Sequence, residues 1–346
     1  MTWKEIDWTA LDRLRAGFLS GSAAAGPYWQ SPADLAGYDF TYGERIGWKW
    51  NAVLAELRLR GWQPTARTIF DWGCGSGVAS RRVISFFGPE NFDALHLWDH
   101  SPLACDYATT AARSAFPSLN VITDDPSFSP QLSTLRSSPD PIGLLVISHV
   151  LNELTPAARA EVDGLIARAS AVIWVEPGTH EVSRQLGAQR ESLRSAFSII
   201  APCTHAGACG VFDPEHARDW CHFFAPPPPD IFATPDWVKF GQRAGIDLRS
   251  LPYAFFALDR APAVPPVTDA SRIIGRPEHF KPYARFLNCD AAGLEELELL
   301  KRSAPALYKQ LDRAKGPLLY RWQRDGDKVH GGEPLAPPAA SPEPMR

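Results

Sequence analysis

The sequence predicts an α/β fold: a parallel sheet covered by helices on both faces, with an N-terminal helical segment and a cysteine-rich C-terminal part. Three observations lead there. From Thr68 onward, short apolar runs alternate with stretches of helical periodicity, the pattern of strands joined by crossover helices. A glycine-rich loop stands between the first apolar run and the helix that follows it. The chain before residue 63 and the chain after residue 200 follow other patterns.

Residues 1–62 read as helical, because Trp8 to Leu19 and Ile46 to Leu59 place apolar residues at helical spacing. The strand candidates are Thr68–Trp72, Ala94–Trp98, Asn120–Thr123, Gly143–Ser148 and Ala171–Glu176. Residues 186–200 return to a helical pattern, and 63–200 form one predicted domain. Pro226 to Pro229 exclude both helix and central strand. Tyr253–Leu258 reads as a further strand. Residues 201–328 make up the cysteine-rich, basic part, and 329–346, rich in Pro and Ala, are expected to be disordered.

The loop reads Asp71-Trp72-Gly73-Cys74-Gly75-Ser76-Gly77. Glycine lets backbone approach a ligand closely, and the N-terminus of the next helix offers free N–H groups to an anionic or polar group. The dinucleotide fingerprint needs a third glycine at its sixth position. Counting from Gly73 that position is Val78, and from Gly75 it is Ser80, so the fingerprint fails. The Asp-x-Gly-x-Gly-x-Gly run instead resembles the first motif of class I methyltransferases, which bind S-adenosylmethionine (SAM) on a Rossmann-like sheet. Asp99 ends the next strand, 22 positions past Gly77, where a carboxylate would meet ribose hydroxyls. The alternative is an ordinary tight turn, with Asp99 capping the helix that starts at Pro102.

Asp71, Gly73, Gly75, Gly77, Asp99 and Asp124 are the expected cofactor-binding residues. Asp124, with Asp125 beside it, follows the third strand and would accept from an adenine amino group; the alternative is a turn before Pro126. His149, Asn152 and Glu153 follow the fourth strand, at the carboxyl edge where open α/β sheets bind ligands. None declares itself a catalytic base. Methyl transfer needs mainly alignment, because the sulfonium is already a good leaving group.

The six cysteines are Cys74, Cys105, Cys203, Cys209, Cys221 and Cys289. Cys74 and Cys105 read as structural. Cys203, Cys209 and Cys221 lie within nineteen residues, spaced by five and then eleven. With Cys289 they supply four thiolates, enough for an iron–sulfur cluster or a zinc ion, with His205, His216 and His222 as substitute ligands. Neither spacing matches the common ferredoxin or zinc-finger patterns, and buried free cysteines are the alternative.

Of the 346 residues 45% are hydrophobic and 21% charged, with a formal net charge of −4, which excludes a uniformly basic RNA coat. Residues 271–328 nevertheless hold twelve Arg and Lys against eight Asp and Glu. Arg272, Arg276, Lys281 and Arg285, with Tyr308, Tyr320 and Trp322, suggest an RNA-docking surface; the alternative is a solvated helix surface over buried aromatics. No apolar run spans a membrane, and the first residues lack a signal-peptide or transit-peptide pattern. An intracellular protein without a membrane partner is expected.

Further stretches carry a more specific resemblance. They are Ser148 to Leu154, Val175-Glu176-Pro177-Gly178-Thr179, Ala201-Pro202-Cys203-Thr204-His205, Asp219-Trp220-Cys221-His222-Phe223 and the segment from Arg272 through Trp322. Together with Phe70 to Gly77 they resemble the mitochondrial small-ribosomal-subunit methyltransferase-like assembly proteins and their bacterial relatives, over about residues 40–325. The resemblance implies a class I methyltransferase fold and a four-iron, four-sulfur (4Fe-4S) cluster on Cys203, Cys209, Cys221 and Cys289. It also implies work on or near ribosomal RNA during small-subunit assembly, in the bacterial cytoplasm or, in a eukaryote, the mitochondrion. The acidic overall charge departs from what broad RNA affinity requires.

Overall fold

A computed structural model describes residues 1–20, 28–123, 141–312 and 316–337. Helices α1 (Trp8–Ser20), α2 (Pro32–Tyr38) and α3 (Glu44–Leu59) come first, with a π-helical turn at Asp39–Gly43 joining the last two. Strand β1 (Thr68–Trp72) leads through the glycine loop into α4 (Val78–Phe87). Then follow β2 (Ala94–Trp98), α5 (Pro102–Ala115), β3 (Asn120–Thr123), β4 (Ile142–Ser148) and β5 (Ala169–Pro177). Helices at Pro156–Arg168 and His180–Leu193 flank β5 in sequence.

The sheet does not end at residue 200. β6 (Ser198–Ala201), β7 (Phe223–Phe224) and β8 (Pro252–Asp259) all join it, in the order β3-β2-β1-β4-β5-β8-β6, with β7 beside β8. β1 to β5 run parallel, and β8 is inserted antiparallel between β5 and β6. This is the strand order of the class I methyltransferase fold. The central strands are apolar on both faces, as a doubly covered parallel sheet requires. Leu144 and Val146 face one core with Ile69, Leu95 and Trp50, while Leu145 and Ile147 face the other with Trp174 and Phe256.

Residues 271–334 form a second body, and it is not helical. β9 (Ser271–His279), β10 (Tyr283–Asp290), β11 (Gly293–Leu300), β12 (Leu319–Asp325) and β13 (Lys328–Pro334) close a barrel in the order β10-β11-β13-β12-β9. Only β11 and β13 pair in parallel. A helix, Pro305–Asp312, lies between β11 and β12 and plugs the barrel with Leu307 and Leu311. This is the Greek-key arrangement of the five-stranded OB-type barrel. The expectation of disorder from 329 is corrected for residues 329–334, which belong to β13 with Val329 buried in the barrel; residues 338–346 lie outside the described residues. Alternation of inward Ile273, Ala284, Phe286, Leu297 and Leu299 with outward charge has the period of strands, not helices.

A buried ion triad joins the two bodies. Glu56 on α3 sits between Arg60, one turn on, and Arg272 of β9. The Arg60 guanidinium also donates to the carbonyls of Ile200, Pro202 and Cys203 at 3.0, 2.6 and 3.0 Å. Arg272 lies over the Phe223 ring, 3.8 Å from its centroid. It is 3% exposed, so it cannot contact RNA as its place in a basic segment suggested.

Glu56→Gln leaves two guanidiniums buried without their anion. Urea unfolding should show a loss of about 3–5 kcal/mol, the cost of breaking a buried pair. A loss below about 1 kcal/mol, the range of surface pairs, would show that the triad is not a desolvated unit.

Candidate functional site

The loop after β1 is shaped by three glycines at positive φ: Gly73 at 69°, Gly75 at 52° and Gly77 at 74°. A side chain at Gly73 would meet Val150 Cγ1 at 2.8 Å, and one at Gly77 would meet Ala108 Cβ at 3.0 Å. Nothing lies within 4 Å of the Gly75 position, so the loop faces open space there. Asp71 is fully buried below the loop, and its carboxylate accepts from Ser80 Oγ at 2.6 Å. Its other oxygen has no partner among the described residues, and burial raises its pKa to about 6. Asp99, at the end of β2, accepts from the backbone N–H of Gly75 and of Ser101, each at 2.9 Å. Burial raises its pKa. The structure thus brings Asp71, Gly73, Gly75, Gly77 and Asp99 together; Asp124 lies outside the described residues.

The N-terminal helices cover this loop. Asp39 accepts from Ser76 Oγ at 2.8 Å, from Arg81 at 2.6 Å and from Tyr107 Oη at 3.2 Å. Tyr28 packs on Trp29 and His100, and Trp29 packs on Tyr38. The hydroxyls of Tyr28 and Tyr38 are held protonated by burial and by the carboxylates of Glu153 and Asp99. Cys74 and Cys105 are buried beside each other, as structural residues would be.

At the carboxyl ends of β4 and β5 stands a polar group of which His149 and Glu153 were expected at this edge from the sequence, and Lys49 was not. Lys49 Nζ, on α3, lies 3.1 Å from His149 Nε2. His149 is the one non-glycine residue at positive φ among the described residues, at 57°, a conformation costing about 1–2 kcal/mol. It is held by its N–H to the Val175 carbonyl at 2.9 Å and by contact of its Nδ1 with Ser148 Oγ at 3.2 Å. Ser148 in turn accepts from the Trp50 indole at 2.9 Å. Glu176 accepts from Val150 N, Leu151 N and the Trp174 indole. Its second oxygen is buried and unpartnered. Burial lowers the Lys49 pKa to about 7 and raises Glu176 to about 7. Burial, then Asp99 and Glu176, raise Glu153 to about 7. The sequence signals were a lysine between two tryptophans and a glutamate inside an apolar strand.

The four expected cysteine ligands also converge. Cys209, Cys221 and Cys289 pack with Val211, Ile274 and Leu294, and Cys203 is close enough to disfavour ionisation of each of them. Burial first, then neighbouring thiols, push Cys209 up to about 11. Three arginines hold the surrounding loop by its carbonyls: Arg60 as above, Arg190 to His205 and Gly207 at 2.9 and 2.7 Å, and Arg184 to Val211 and Asp219 at 2.8 and 2.9 Å. The His205 Nε2 lies 3.7 Å from Cys289 Sγ. The expected metal itself is not shown. Among the described residues, no three or more His, Cys, Asp or Glu side chains form a group that would hold a metal ion. His216 is engaged with Asp219 at 2.8 Å, and His222 with the Trp220 carbonyl at 2.9 Å. Among the described residues no helix is long and apolar enough to cross a membrane.

A family model described as mitochondrial small ribosomal subunit Rsm22 matches residues 49–227. The chain belongs to the Rsm22 family. The match opens at Lys49 and takes in the glycine loop, Asp99, His149, Glu176 and three of the four clustered cysteines; Cys289 lies beyond it. Among solved structures, the plantazolicin methyltransferase BamL is similar at 13% identity and a TM-score of 0.39, over 74% of this chain and 100% of that one. TrmK of M. capricolum, solved with S-adenosyl-homocysteine, gives 9%, a TM-score of 0.34, and 60% and 67% coverage. An rRNA methylase from Escherichia coli gives 15%, 0.33, and 56% and 70%. No curated protein matches.

Lys49 binds fewer protons folded than unfolded between about pH 7 and the ordinary lysine range. Its contribution to stability therefore rises with pH across that window. The unfolding free energy of the wild type minus that of Lys49→Met should climb by on the order of a few kcal/mol from neutral pH to about pH 10, read by urea titration. A difference flat with pH would mean that Lys49 stays charged in the fold.

Proposed function

We propose that this member of the Rsm22 family is a SAM-binding, iron–sulfur, methyltransferase-like factor that acts on the small ribosomal subunit during assembly or translation, with ribosomal RNA as its methyl acceptor. The observation that carries the reading is the joint presence, within one family match, of the three positive-φ glycines, Asp99 and three of the four convergent cysteines.

SAM supplies a methyl group on a sulfonium, already a good leaving group. The chain's own part is binding and alignment. Each Asp99 oxygen accepts one backbone N–H and keeps a lone pair for a ribose hydroxyl. The open space over Gly75 admits the cofactor backbone. Lys49, beside neutral His149, and Glu176, with a buried oxygen that has no partner among the described residues, would face the acceptor at the carboxyl ends of β4 and β5. Glu176 and Lys49 both titrate near neutrality, so either can take a proton from an acceptor nitrogen.

The cysteines fit an iron–sulfur cluster by donor chemistry. Four like-charged thiolates need a cationic centre, and the Arg190 guanidinium opposes the upward push of burial on Cys209 and Cys289. A four-iron cluster takes one thiolate at each corner, which spreads the ligands more widely than a lone ion does. Cys203, Cys209, Cys221 and Cys289 would hold it. It would tie the loop to barrel strand β10.

Anaerobically purified protein should carry iron and sulfide with broad visible absorption. Single Cys→Ser changes should bleach that absorption and lower the melting temperature, because metal binding is coupled to folding. Zinc without iron or sulfide would refute the cluster. Calorimetry should show SAM binding and no NAD binding, with Asp99→Ala weakening SAM by about 1–3 kcal/mol. Methyl transfer from labelled SAM to immature small subunits tests the enzyme reading; SAM binding without transfer would leave an assembly factor that uses SAM structurally.

A further inference from the structure

The segment Trp220-Cys221-His222-Phe223-Phe224 alternates its side chains between two sides, as extended chain does. Cys221 turns to the other thiols and Phe223 to the core. Trp220, His222 and Phe224 turn the opposite way and remain half-buried. Their rings form a continuous row. Trp220 and His222 stack at 4.5 Å with an interplanar angle of 18°, and His222 meets Phe224 edge-on at 5.4 Å. Exposed His180 extends the row at one end, 5.4 Å from Trp220. The exposed Arg276 guanidinium closes the other end, 3.8 Å above the Phe224 ring.

This row has no core to serve. It lies on the seam where the carboxyl end of β5 meets barrel strand β9: Trp220 donates to the Gly178 carbonyl at 3.0 Å, and Gly275 N donates to the His222 carbonyl at 2.9 Å. OB-type barrels bind oligonucleotides on the face of their second and third strands. Here part of that face is taken. Cys289 and Leu294 are covered by the cysteine loop, and Glu296 and Glu298 are engaged by Arg285 and Lys328. The half-buried ring row adjoins that face. Exposed Arg218 and Arg276 stand on its rim; the nearby carboxylates Asp219 and Asp247 are tied to His216 and Arg249.

We propose that the row from His180 through Trp220, His222 and Phe224 to Arg276 is a stacking platform for unpaired bases of single-stranded RNA. Aromatic rings accept any base by its π-face, and a guanidinium over a ring adds a cation that also meets phosphate. The site would lead an unpaired segment toward the carboxyl edge of the sheet. The inference deepens the RNA part of the proposed function and rests on it only for the source of the RNA.

The test uses the full-length, cluster-loaded protein and an unstructured RNA oligonucleotide about a dozen nucleotides long, within the usual site size, carrying 2-aminopurine. Binding should alter the base's fluorescence through stacking, and the matching duplex should bind more weakly. His222→Ala should weaken binding about tenfold, as loss of one stacked base does, in protein whose cluster absorption shows that the neighbouring Cys221 is undisturbed. Arg276→Glu, a change at an exposed residue, should weaken binding and reduce its salt dependence. Equal affinity of wild type and Arg276→Glu, tighter binding of the duplex, or displacement by oligo-aspartate as readily as by RNA would each overturn the platform. If His222→Ala does not fold, Arg276→Glu decides alone. Single-stranded RNA bound by this row without association with small subunits would refute the ribosomal reading and leave the platform standing. The reverse result would do the opposite.

Discussion

The architecture turns on one buried carboxylate. Glu56 holds Arg60 and Arg272 in a place where no charge would stay alone, and each arginine then does a second task. Arg60 spends its remaining donors on the loop carbonyls of Ile200, Pro202 and Cys203. Arg272 carries barrel strand β9 onto the Phe223 ring. A helix, a cysteine loop and a barrel from distant parts of the chain thereby share a single anchor. Replacing such a triad with apolar groups is often harmless to stability. Its value here is positional: it fixes where Cys203 and Cys289 can stand relative to each other.

The same economy governs the loop after β1. Its three glycines are needed for backbone reasons that differ. Gly73 and Gly77 are pressed by Val150 and Ala108, whereas Gly75 has open space and is required for its φ. Asp99 fixes the loop from the neighbouring strand through Gly75 N. A carboxylate that already organises the loop is pre-placed for a ligand lying on it, so binding costs little reorganisation.

The sheet was legible because its signals are local. Five apolar runs, a glycine loop and a strand-end acid sit at fixed short offsets, and the observed β1, β2 and β3 bounds coincide with the expected ones. The barrel was not legible, although its strands alternate visibly. Reading 271–328 for charge obscured a period of two, and the Pro/Ala-rich end hid Lys328–Pro334, which pairs with β11 across a long sequence gap. Site residues divide the same way. Asp99 stands at a recognisable offset from the glycine loop, whereas the cysteine spacing matches no common pattern and the set of four came from the motifs around them. Lys49 and Glu176 become partners of one site only because α3 crosses the carboxyl ends of β4 and β5, which no spacing encodes.

Counting charge misled for a physical reason. An arginine can end on a phosphate, but it can equally end on a carbonyl. In this chain Arg60, Arg184, Arg190 and Arg260 direct their guanidiniums to backbone oxygens, and Arg272 is sealed in the triad. Arg285 and Arg324 are neutralised by glutamates on the barrel. Arg272, Arg285 and Arg324 therefore add no free positive charge to the surface of residues 271–328. A protein with net charge −4 and most of its arginines committed internally has little long-range attraction for nucleic acid. Any RNA it recognises must be held at short range, by ring faces and by a few exposed guanidiniums such as Arg276. Recognition of that kind favours strands already unpaired and delivered close by, which is the condition inside an assembling ribosomal subunit rather than in free solution.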